Sequence, residues 1–120
     1  MVNTSSTLSL AALEYLAHID PEDVPDDLVA MELRLAAESS IEARIIADMP
    51  ADWRTPVPPV SCQRIGDEWV AGGRSLGLLV PSVLIPGETN LLLNPRHAEM
   101  ASVEVVRVER FVFDVRLVWR

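Results

Sequence analysis

The sequence predicts a mixed α/β domain of the α+β kind, with several strands and few helices. Three observations predict it. Residues 7–19 make a run of helical length without glycine or proline; several shorter runs are apolar or alternate with period two; and nine prolines and five glycines punctuate the chain. With 120 residues, 49% of them hydrophobic, the chain can bury one modest core, so residues 1–120 read as a single domain.

Residues 7–19, TLSLAALEYLAHI, open with hydroxyl residues suited to capping and stop before Asp20-Pro21, the pattern of a helix. Its apolar residues lie all round rather than along one stripe, which predicts burial. Asp20 to Asp27, DPEDVPDD, is an acidic turn-rich loop. Leu28 to Leu35 alternates through Val29, Met31, Leu33 and Leu35 and reads as a strand. Ala36 to Met49 reads either as a helix or as a strand followed by an excursion.

Prolines 50, 56, 58 and 59 exclude regular structure from Pro50 to Pro59, and Trp53 is the expected anchor of that loop. Gln63 to Val70 reads as a short helix, Gly72-Gly73 as a turn, and Leu76 to Val83 as an internal strand ended by Pro81. Leu91 to Leu93 is a short apolar segment before the Asn94-Pro95 turn. Ser102–Val108 and Phe111–Val118 both alternate, which predicts a terminal strand pair.

The net charge of −8 is uneven. Positions 1–50 hold ten acids against two arginines, and positions 51–120 hold eight of each. With no lysine and an acidic balance, the chain lacks the cations that release phosphate counterions, so a nucleic-acid partner is not expected. No apolar run reaches eighteen residues and the N-terminus has no basic flank, so neither a membrane span nor a signal peptide is expected, and the protein reads as soluble and intracellular. Cys62 is the only cysteine, which leaves no disulfide framework and no cysteine cluster for zinc.

Glu14 is the only formally charged residue between Leu8 and Ile19, apart from a histidine, and a carboxylate in an apolar helix needs a hydrogen-bonding partner. It is either a functional carboxylate or half of an ordinary surface pair with His18, four residues on. The same two residues could begin a metal site, but no second group of matching spacing exists, so no metal is expected and His18 reads as a helix-end cap. Ser82, after Pro81 at the end of an apolar strand, either faces a cleft or simply starts a turn; no GxSxG context surrounds it. In PGETNLLLNPRH, Asn90, Asn94 and His97 either line a pocket or fasten a loop. The glycines of WVAGGRS do not have the spacing of a dinucleotide fingerprint.

Taken in order, LSLAALEYLAH, MPADWR, QRIGDEWV, LLVPSVLIPGETNLLLNPRH and FVFDVRL resemble the RES domain from its first helix to its end. The resemblance implies a fold like that of ADP-ribosyltransferase toxins, incomplete here at the N-terminus, and a cytoplasmic bacterial protein. It also implies cleavage of the nicotinamide–ribose bond of NAD, which is then the substrate rather than a cofactor, and a helix-turn-helix antitoxin of the Xre type as partner. Glu14 and Ser82 match the glutamate and serine of the family's name, with Asn90, Asn94 and His97 as supports of the pocket rim. The family's arginine is expected upstream of Met1, and Asn3 stands where the family has a tyrosine. The 120-residue chain is therefore expected to consume little NAD and, with strands left short of neighbours, to self-associate. The competing readings are an inactive remnant that only binds an antitoxin or its own copies, and an unrelated α/β domain that matches by accident.

Overall fold

The computed structural model describes residues 1–45, 49, 51, 53, 54 and 60–118. Strand β1 (Val2–Ser5) leads into helix α1 (Leu8–Leu16). Strands β2 (Val29–Arg34) and β3 (Ile41–Ala43) follow, then helix α2 (Val60–Gly72), strands β4 (Gly77–Pro81), β5 (Thr89–Leu93) and β6 (Glu104–Arg110), and a last helical turn α3 (Val115–Val118). This is the mixed α/β class with few helices. Ala36–Met49 resolves to the strand alternative over Ile41–Ala43, and most of the Pro50–Pro59 loop lies outside the described residues.

A four-stranded sheet has the order β1-β5-β4-β3. Its first two ladders are antiparallel, and β3 pairs with β4 in parallel, joined through α2. The apolar run around Leu78 therefore has a strand on each side, contrary to the expectation that it lacks neighbours. β5 arrives as the return strand of β4, and β1, which the sequence did not announce, supplies the next. The core sits where these strands meet α2: Leu76, Leu78, Leu93, Trp69 and Leu10 are all buried. Gly77 permits this closeness, because a Cβ there would come within 2.6 Å of Ile41 Cδ1 and 2.9 Å of Leu91 Cδ1. Gly73, at φ +61°, ends α2 in the left-handed conformation.

Helix α1 begins as read, with the Thr7 side chain accepting from the Leu10 amide at 3.1 Å. It is not buried all round. Leu10 is buried, but Leu8 and Leu13 are exposed, because α1 packs on one side only. The helix also ends earlier than predicted: beyond Leu16 the His18 amide bonds the Tyr15 carbonyl at 3.1 Å, a tighter turn, before Pro21.

The terminal strand pair is the main correction. β6 forms, but its partner is β2, in a separate antiparallel ribbon with a register shift between Glu32 and Leu33. Phe111 ends the ribbon by donating its amide to the Leu28 carbonyl at 3.0 Å. Phe113 then turns inward, stacked on Tyr15 with ring centroids 6.0 Å apart and edge-on to Phe111 at 4.9 Å. The alternating apolar residues of 111–118 thus serve an aromatic anchor. Asp114 starts a helical turn there, accepting from the Arg116 amide at 2.9 Å and pairing with its guanidinium.

Trp69 donates from Nε1 to Ser75 Oγ at 2.8 Å, and that hydroxyl in turn faces Glu42 Oε2 at 3.2 Å and the Gly77 carbonyl at 3.1 Å. The contact ties α2 to the start of β4 inside the core. Ser75→Ala strands a buried indole N–H, so stability should fall by about 1–3 kcal/mol. Urea unfolding checks this: the midpoint should drop with an unchanged slope.

Candidate active site

Three elements converge at the end of the four-stranded sheet. Glu14 projects from α1 half-buried, Ser82 follows the last residue of β4 and is buried, and Asn90 is the second residue of β5. Ser82 Oγ donates to Glu14 Oε1 at 2.9 Å, and Asn90 Nδ2 donates to the same oxygen at 2.8 Å. Asn90 is oriented from behind, because its Oδ1 accepts from Ser5 Oγ at 2.7 Å. Register explains the pairing: Ser5 and Asn90 are Cα partners across β1 and β5, so their side chains share a face.

Ser82 also starts a turn. Its Oγ accepts from the amides of Leu84 and Ile85, each at 3.1 Å, while its own amide donates to the Glu88 carbonyl at 2.8 Å. Two accepted bonds aim the hydroxyl proton at the carboxylate. Glu14 Oε2 takes no hydrogen bond from the described residues, so one carboxylate oxygen is clamped and the other is left without a donor among them. His18 is turned away: its Nδ1 lies 2.7 Å from the Glu14 backbone carbonyl and caps the helix end. Among the described residues, no group of three or more His, Cys, Asp or Glu side chains is placed to hold a metal ion.

Asn94 and His97 are not brought to this cluster. They follow the far end of β5; Asn94 lies four residues past Asn90, roughly 13 Å along an extended chain. Asn94 is buried, donates from Nδ2 to the Val70 carbonyl at 3.2 Å and accepts from the Arg96 amide at 3.1 Å. His97 Nδ1 accepts from the Glu99 amide at 3.1 Å, capping the short 3-10 helix Ala98–Ser102. The same nitrogen lies 3.4 Å from Glu99 Oε2, a contact that is an ion pair only when the imidazole is protonated. Glu99 binds the Ser40 amide, 3.3 Å from each carboxylate oxygen, and the Ser40 hydroxyl. Asn94 and His97 thus sit in a network that fastens loops at the opposite end of the sheet.

Sequence reasoning missed Ser5, which carries no motif and matters only through the β1–β5 register. It also passed over Arg54, whose side chain lies over the Trp53 ring at 4.6 Å and reaches the Ser82 carbonyl. Trp53 itself is buried, as an anchor of its loop should be. A cleft of about 1250 Å³ lies elsewhere: residues of β1, β2 and β6 line much of it, and Glu14, Ser82 and Asn90 do not. The convergent polar groups, not the volume, mark the site. Among the described residues no helix is long and apolar enough to cross a membrane.

The RES domain model matches residues 1–115. A Toxin Res of Yersinia enterocolitica is 40% identical over 114 residues, covering 94% of this chain and 74% of its own. A Toxin Res of Photorhabdus laumondii is 34% identical over 118 residues, covering 98% and 75%. A Prs ADP-ribosylating toxin of Sphingobium sp. is 31% identical over 121 residues, covering 98% and 74%. The chain belongs to the RES domain family, and its relatives place it among RES-type toxins.

The hydroxyl of Ser40 holds the Glu99 carboxyl below its ordinary value, ahead of smaller contributions from the Ser40 amide and His97, while desolvation opposes them. A carboxyl lowered in the folded state contributes stability above its unfolded value, and loses it as pH falls through the folded one. The urea midpoint should therefore decline as pH drops below about 4.3. Ser40→Ala should make that decline shallower, and an unchanged pH profile would remove the Ser40–Glu99 contact from the account.

Proposed function

We propose that this chain is a RES-type toxin whose Glu14 site breaks the bond between nicotinamide and ribose in NAD. The observation that carries the reading is the clamp on Glu14: two neutral donors fix one carboxylate oxygen and leave the other open. Support comes also from the Sphingobium relative, which bears the name of an ADP-ribosylating toxin.

Cleavage sends the electron pair of the C1′–N bond onto the nicotinamide nitrogen, neutralising the pyridinium, and positive charge develops on the ribose. Glu14 stabilises that charge through its open oxygen, which also accepts from a ribose hydroxyl. Ser82 and Asn90 hold the carboxylate so that little reorganisation accompanies the reaction, and Ser5 holds Asn90. An acceptor, whether water, phosphate or a protein side chain, then adds at C1′ and gives up its proton. NAD is the substrate in this scheme, the setting is the cytoplasm, and an Xre-type helix-turn-helix antitoxin restrains the activity. Asn94 and His97 support the pocket only by holding the β5 end of the sheet.

A second reading, a binding module without catalysis, is favoured by the β2–β6 ribbon, where Val29, Met31 and Val108 are each more than half exposed on one face. Met31→Asp should then reduce self-association or antitoxin binding in sedimentation runs. A monomer at every concentration would remove self-association from this reading.

Nicotinamide release separates the two readings. In an upstream-extended version that releases nicotinamide, Glu14→Gln should lower release by about 10²–10³-fold, as when an electrostatic stabiliser of a transition state is lost. The circular dichroism and melting temperature should be unchanged. Equal release by both proteins would take Glu14 out of catalysis. No release from the wild type, with antitoxin binding intact, would favour the module.

A further inference from the structure

Ser82 is touched from two sides. Its hydroxyl donates to Glu14, and its backbone carbonyl accepts from Arg54 Nη2 at 3.4 Å, while Arg54 Nη1 reaches the Val83 carbonyl, also at 3.4 Å. Below the guanidinium lies Trp53, itself buried, with the charged carbon 4.6 Å from the ring centroid. Arg54 is thus held in place by a flat ring and two long, weak bonds to neutral carbonyls.

None of these partners cancels its charge. Arg34, Arg74, Arg107 and Arg116 each pair with a carboxylate, whereas Arg54 meets none among the described residues. Among those residues it is also the one cationic side chain bonded to a member of the Glu14–Ser82–Asn90 cluster. The bond path through Ser82 keeps its guanidinium within roughly 10 Å of the carboxylate. A planar fork with spare donors at that distance suits a phosphate better than any other group of a nucleotide. In a chain of net charge −8, an anionic ligand also needs a fixed cation at the site.

We infer that Arg54 is a specificity-determining residue that grips the diphosphate of NAD, so that the site selects a phosphate-bearing nicotinamide nucleotide over the free nicotinamide riboside. This rests on the NAD reading above. Arg54 binds substrate here and takes no part in bond breaking.

Titration calorimetry with NAD and with nicotinamide riboside tests it on the wild-type chain, Arg54→Ala and Arg54→Lys. Arg54→Ala should weaken NAD at least tenfold and leave the riboside unchanged. Arg54→Lys should fall between, since an ammonium cannot reproduce the bidentate fork. Salt should weaken NAD binding less in Arg54→Ala than in the wild type. If NAD and riboside weaken equally, Arg54 only props Ser82 and the inference fails. If NAD binds Arg54→Ala as tightly as the wild type, it also fails, with the NAD reading untouched. A wild-type chain that binds neither ligand overturns the NAD reading and the inference with it. Should Arg54→Ala melt early, Arg54→Lys and the salt dependence decide.

Discussion

Strand β5 is the constraint on which the site depends. It pairs with β1 on one edge and β4 on the other, and these two ladders set which side chains meet. The same residue, Asn90, stands opposite Ser5 in one ladder and Val80 in the other, two positions before Ser82. A slip of one residue in either ladder would turn Asn90 to the other face of the sheet and leave Glu14 without its second donor. The buried Leu93, opposite Gly77, works against such a slip, because moving it would expose an apolar side chain. Core packing at one end of β5 therefore holds polar geometry at the other.

The choice of neutral donors around Glu14 has an electrostatic consequence. An arginine in the place of Ser82 or Asn90 would fix the carboxylate equally well but would offset much of its charge. A hydroxyl and an amide orient the carboxylate without neutralising it, so its field stays available to positive charge developing on a ligand. Arg54 meets Ser82 through its backbone carbonyl while Glu14 meets it through its hydroxyl, so the two charges share a neighbour without forming an ion pair.

The parts of the fold and site legible in the sequence were those decided locally. Thr7 capping α1, Gly73 ending α2, Pro81 closing β4 and Trp53 anchoring its loop all follow from the chemistry of one residue and its immediate neighbours. Glu14 and Ser82 stood out for the same reason, a lone acid in an apolar helix and a serine at a strand end. What was not legible depended on long-range pairing. Phe111–Val118 alternates like a strand, but alternation says nothing about whether a partner edge is free, and β6 had already taken β2. Asn90 and Asn94 look equivalent in LLLN-type sequence, yet one faces Glu14 and the other Val70, because they fall at opposite ends of one short strand. Ser5 had no signal of its own until β1 paired with β5.

The two halves of the chain meet beside α1. The four-stranded sheet and α2 carry the buried side chains of the strands, while every residue of β6 is exposed, and an isolated two-stranded ribbon is marginal in water. The ribbon is tethered at its end, where Phe113 stacks on Tyr15, the residue after Glu14. Tyr15 and Glu14 point about 100° apart around α1, so one can face the ribbon's tether while the other faces the β4–β5 end of the sheet. Packing of the ribbon thus bears on the orientation of α1, and through it on the distance from Glu14 to Ser82 and Asn90. The clamp is short and made of two bonds to one oxygen, which resists such displacement: rotating the helix would have to break both together. That arrangement lets a loosely packed ribbon and an ordered site coexist in one short chain.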